Sequence, residues 1–284
     1  MLVFSADHKS VLYSHNLWGC NLSNRFGVLL ARQRSGTGAL GTILDKHSQL
    51  KYLGEIFHPN NVGSANNFFT HKLEAIKKDP ELVLPGRGME LLDGFLDWKA
   101  DLIKNQLPII DAKYSSLHHL CPPMLNPLER PLLLTHCVQN KLPIIHLTRE
   151  NYLHSYLSGR LAEANKVWHA RSENEIKVTS IDIDVRQLLT YCNQTKARVN
   201  IIQQWLGKRH FVLEIDYANL FDEDGSFSND IKEKLEDLLD IDAFTDTAPV
   251  FVKQNKAPLS ESIKNFEQVY DALHETEFGW MIEA

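Results

Sequence analysis

Apolar residues fall along this chain in short unbroken runs, separated by longer stretches of helical periodicity. Val28, Leu29, Leu30 and Ala31 are consecutive apolar positions, the pattern of a parallel strand covered on both faces. Leu40, Ile43 and Leu44 then recur at helical spacing, so a helix is expected after a short polar turn. Further strand-like runs lie at 50–58, 108–114, 142–148 and 211–221, with an extended stretch at 177–184. Amphipathic helices are expected at 66–78, 89–105, 132–140, 185–206, 228–239 and 261–273, and another runs from just past Arg149 to Trp168 and His169, where Trp168 is read as packing. Strands alternating with helices imply an α/β fold, a three-layer α/β/α sandwich around a mainly parallel sheet.

The turn after the first strand holds Arg34, Ser35, Gly36, Thr37, Gly38 and Ala39. Small residues let backbone amides approach a ligand, two hydroxyls can donate, and Arg34 adds a fixed charge. A helix N-terminus so equipped suits a phosphate or sulfate. No Lys follows these glycines, so the loop of Mg-dependent nucleoside triphosphatases is absent, and a P-loop kinase or NTPase is the weaker alternative. Gly36, Gly38 and Gly41 satisfy dinucleotide spacing, a weak signal without an acidic ribose partner.

Composition narrows the picture. A chain of 284 residues, 43% hydrophobic, can bury a full core, and one domain over 1–284 is the simplest organisation, with 1–24 as an N-terminal extension. A net charge of −6 with interspersed signs argues against nucleic acid as partner. An anionic ligand must then be held by a few placed cations. Four cysteines without paired spacing imply neither zinc nor disulfides, and no apolar run is long enough for a membrane span. The first residues lack a secretory pattern, so a cytoplasmic location is expected.

Residues just past strand C-termini line the ligand crevice of an open parallel sheet. That rule points to Glu55 and His58 after the second strand, Lys113 and Tyr114 after the third, and Arg149 after the fourth. Ser158 follows Arg149 by nine residues on the next helix. The polar region around 60–105 reads as an acceptor-binding insertion. Asp216 and Tyr217 are read as structural, and Lys253 and Lys256 as loop lysines that could approach a nucleotide.

Arg34-Ser-Gly-Thr37 resembles the 5′-phosphosulfate loop of sulfotransferases that use 3′-phosphoadenosine 5′-phosphosulfate (PAPS). The Arg149-to-Ser158 spacing, Trp168-His169 and the block Lys253-Gln-Asn with Pro258-Leu-Ser match the same family in order, closest to bacterial carbohydrate sulfotransferases of the trehalose-sulfating and nodulation-factor-sulfating kind. The resemblance implies a P-loop-like phosphosulfate site at Arg34, Ser35, Gly36, Thr37, Gly38 and Ala39, and a 3′-phosphate site at Arg149 and Ser158. It also implies Glu55 as general base, with His58 as the other candidate, and Lys253 beside the nucleotide. PAPS would be the sulfuryl donor, without a metal, and the acceptor a carbohydrate or a small natural product; a homodimer is left open. Gly38 departs from the family pattern, since a second Ser or Thr is usual there.

Overall fold

A computed structural model describes residues 26–120, 129–168, 170, 172–248 and 257–283. Its strands are β1 (Gly27–Ala31), β2 (Leu50–Gly54), β3 (Leu107–Lys113), β4 (Ile144–Thr148) and β5 (Val212–Asp216). They form one sheet in the order β2-β3-β1-β4-β5, with every pairing parallel. The helices are α1 (Thr37–Asp45), α2 (Phe68–Lys78), α3 (Gly88–Leu102), α4 (Tyr114–Leu117), α5 (Leu132–Gln139), α6 (Tyr152–Asn165), α7 (Val185–Leu206), α8 (Asn229–Leu239), α9 (Leu259–Ser262), α10 (Phe266–Leu273) and α11 (Trp280–Glu283).

The unbroken apolar run of β1 has its explanation in the layers. Leu29 and Ala31 pack with α1 and α8 on one face of the sheet, while Val28 and Leu30 pack with α3, α5 and the C-terminal half of α7 on the other. A strand at the centre of such a sandwich has no solvent face, so period-two alternation disappears. Helix α6, the N-terminal half of α7, α10 and α11 close a third apolar cluster at one side.

Topology fixes where a ligand can enter. From β1 the chain crosses to β2 at one edge and returns through β3; from β4 it runs outward to β5 at the other edge. Connections leaving β1 and β4 diverge, which opens a crevice between their C-terminal ends.

Three expectations need correction. The second strand stops at Gly54, whose φ of +67° turns the chain, so residues 55–58 form a turn. Helix α6 ends at Asn165 because Lys166 adopts a left-handed cap, and Trp168 beyond it is 55% exposed rather than packed. The helix expected at 261–273 is broken. Ile181 pairs with Ile263, and the Asn265 amide both accepts from the Ile183 N–H at 2.8 Å and donates to its carbonyl at 2.9 Å. Long-range pairing there outweighs helical periodicity, and the extended stretch 177–184 contributes its one bridge. Cys137 and Cys192 are buried free thiols, which burial pushes up to about 12; Cys20 and Cys121 lie outside the described residues. Among the described residues, no helix is long and apolar enough to cross a membrane.

The 60–105 region is tied down from both ends. Asn67 caps α2 by accepting from the Phe69 N–H at 2.9 Å, and its own amide donates to the His58 carbonyl at 2.9 Å. Beside it, buried Lys99 donates to Asn66 at 2.9 Å and lies 4.1 Å from the Trp98 ring centre. Burial lowers this ammonium to about 8. Between about pH 8 in the folded protein and about 10.4 in the unfolded chain, only the unfolded state holds that proton, so stability rises with pH across the window. Urea titrations should show this rise in the native protein and its loss in Lys99→Met.

Candidate anion-binding site

The turn between β1 and α1 is built for close approach. Arg34 and Gly36 both have left-handed backbones, with φ of 67° and 92°. Glycine is required at 36 on a second count: a Cβ there would run into the Tyr217 ring. Gly36 is the N-cap of α1 and brings no side-chain acceptor. The first helical bond runs from the Leu40 N–H to the Gly36 carbonyl at 3.2 Å, which leaves the amides of Thr37, Gly38 and Ala39 outside the ladder. Ser35 and Thr37 are both buried.

Two guanidinium groups converge on this turn. Arg34 Nε and Nη2 donate to the Ser158 hydroxyl at 3.2 and 2.8 Å, and Nη1 donates to the Trp168 carbonyl at 2.7 Å. Arg149, at the end of β4, donates from Nη1 to the Arg34 carbonyl at 3.4 Å, and its guanidinium lies 4.8 Å over the Tyr217 ring. The Ser155 hydroxyl donates to the same carbonyl at 3.2 Å. Burial lowers the pKa of Arg34, and the neighbouring Arg149 lowers it further; burial is also the main cause lowering Arg149. Among the described residues Arg149 forms no ion pair. The Asp216 charge acts on it, but that carboxylate accepts from the Glu150 and Ala218 amides, each at 2.7 Å.

A different cation stands at the end of β3. Buried Lys113 donates to both Asp111 oxygens at 2.6 and 2.7 Å and to the Thr37 hydroxyl, and it lies 3.5 Å from Glu55 Oε1. The Tyr52 hydroxyl donates to Asp111 at 2.6 Å; burial, then the Asp111 charge, raises the phenol's pKa. The cluster therefore links β2, β3 and the first residue of α1.

Most of the residues singled out in the sequence meet at this edge, in an arrangement not fully anticipated. Arg34, Ser35, Gly36, Thr37, Gly38, Ala39, Arg149 and Ser158 gather where β1, β4 and α6 meet, but Ser158 hydrogen-bonds Arg34 rather than Arg149. Glu55 lies against Lys113, on the β3 side. The His58 ring caps a short turn, its Nδ1 accepting from the Asn60 N–H at 3.2 Å. Tyr217 has a wider part than a structural filler, since it touches both Gly36 and Arg149. Lys253 and Lys256 lie outside the described residues. Lys113 carries more of the site than its strand-end position implies; in Asp111-Ala-Lys113 a period of two puts opposite charges on one strand face. No family model matches this chain, and no curated protein matches it.

Removing one partner of a buried ion pair leaves the other charge without compensation. Lys113→Met should therefore lower stability by about 3–5 kcal/mol in urea unfolding, and adding Asp111→Asn should restore part of the loss.

Proposed function

We propose that this chain is a PAPS-dependent sulfotransferase whose anion seat lies between the ends of β1 and β4. The observation that carries the reading is the pair Arg34 and Arg149. Both are depressed by burial, they face one another's charge, and Arg149 has no ion pair among the described residues. Arg149, desolvated at a cost among neutral partners, gains most from an anionic ligand. The free amides at the start of α1 add donors to the same place.

On this reading the amides of Thr37, Gly38 and Ala39, with Ser35, Thr37 and Arg34, hold the 5′-phosphosulfate, and Arg149 with Ser158 holds the 3′-phosphate. PAPS supplies a sulfuryl group activated for in-line transfer to an acceptor hydroxyl. Arg34 neutralises charge on the departing bridging oxygen, and Glu55 takes the hydroxyl proton as the new S–O bond forms. Lys113 holds Glu55 and the Thr37 hydroxyl in register. In P-loop NTPases the loop hydroxyl and a strand carboxylate hold Mg²⁺. Here the Lys113 ammonium already bridges Thr37 and Asp111, which favours transfer without a metal over the kinase reading. The acceptor, proposed to be a sugar or small natural product, would enter over the 60–105 region.

Labelled-PAPS turnover and calorimetry test this. Glu55→Gln should abolish transfer while leaving adenosine 3′,5′-bisphosphate affinity within about threefold, a difference under 1 kcal/mol; retained turnover moves the base role to His58. Arg149→Ala should weaken the bisphosphate by about tenfold or more, the loss of one charge-assisted contact, and adenosine 5′-phosphate far less. Equal losses for both nucleotides defeat the 3′-phosphate assignment.

A further inference from the structure

A third arginine stands in the same crevice. Arg32 directly follows β1, and its guanidinium carbon lies 3.7 Å from the centre of the Tyr191 ring on α7. Its Nη1 is fully covered and has no hydrogen-bond partner. Among the described residues Arg32 forms no ion pair, and the ring stack is its one polar-group contact. A covered guanidinium nitrogen without an acceptor is costly, and a Met or Leu would fill the space at no such cost.

What surrounds Arg32 indicates what it serves. Tyr191, stacked on Arg32, is also within electrostatic reach of Arg34 and Arg149, so the charges of three guanidinium groups bear on one phenol. Tyr156, on the helix that carries Ser155 and Ser158, packs edge-on against Tyr191 at 5.0 Å. Arg32 also exerts its charge on Tyr114 and Cys192, neither of them an ordinary counter-ion. Among the described residues, the positive charge of Arg32 and Arg149 that no ion pair neutralises therefore sits at the ends of β1 and β4, away from the Lys113 cluster and its carboxylates.

We infer that Arg32, held by Tyr191, is the third guanidinium of the anion seat and binds the ribose-linked phosphate monoester of the nucleotide. The inference rests on the nucleotide reading given above and adds residues that the sequence did not single out. A phosphate monoester carries nearly two charges and three acceptor oxygens at neutral pH, more than Arg149 alone can satisfy.

Calorimetry on the full chain tests it with Arg32→Met, which keeps a long stem against Tyr191, and Arg32→Lys, which keeps the charge but loses the fork. Arg32→Met should weaken adenosine 3′,5′-bisphosphate by about tenfold and adenosine 5′-phosphate by less than about threefold, with Arg32→Lys between. An unchanged bisphosphate affinity, or equal weakening of both nucleotides, overturns the inference. If the native protein binds neither nucleotide, the nucleotide reading falls, and inorganic phosphate then decides the fate of Arg32. A thermal shift with phosphate that is lost in Arg32→Met upholds the anion seat; the same shift in both proteins removes Arg32 from it.

Discussion

Positive charge withdrawn from water at the ends of β1 and β4 is the constraint around which the rest of this molecule is arranged. Arg34 and Arg149 repel one another, and partial burial takes each out of some of its solvent. Arg149 is held by neutral groups, the Arg34 carbonyl and the face of Tyr217, while Arg34 donates to the Ser158 hydroxyl and the Trp168 carbonyl. For Arg149, a carbonyl dipole and a ring quadrupole offset part of the desolvation but leave the charge standing. The left-handed backbone at Arg34 and Gly36 follows from this arrangement, because it places the Arg34 carbonyl where Arg149 and Ser155 both reach it.

The same sheet edge contains a cation of the opposite kind. Lys113 has Asp111 at contact distance, Glu55 nearby and Tyr52 behind the carboxylate. Its charge is neutralised locally, so it joins β2, β3 and α1 without adding to the field that would draw an anion. The contrast separates two kinds of desolvated basic residue: Lys113 as a joint, and the arginines as the proposed seat. It also divides the crevice into a cationic half over β1 and β4 and a half over β2 and β3 where a carboxylate is poised.

Much of the fold could be read from residue order because β1 and β4 are covered on both faces and their apolar runs are unbroken. The bounds of α7 were legible for a related reason: Asp184 accepts from the Gln187 N–H as its cap, and Gly207, with φ of 58°, ends it. The break between α9 and α10 was hidden, since the Asn265 pairing with Ile183 joins residues far apart in sequence. At the site, residue types and strand-end positions were legible, but partners were not. Spacing put Ser158 on the right helix and could not say that its hydroxyl faces Arg34. Arg32 has its place through the Tyr191 ring on α7, a contact between residues far apart in sequence that the order of residues does not reveal.

The division of the crevice bears on how the proposed transfer would be kept selective. The nucleotide half is built on strand ends, α1 and α6, whose positions the sheet fixes. The other half meets the turn after β2, where Glu55 lies within one residue of the sheet and His58 is tied to the start of α2 through Asn67. That tie continues through Asn66 to Lys99 on α3. A change in the 60–105 region can therefore alter what approaches Glu55 while leaving Arg34 and Arg149 where they are. On the proposed function, donor recognition and acceptor choice would then rest on separate elements that share the turn between β1 and α1, and a fold so divided could exchange one acceptor for another without rebuilding the proposed anion seat.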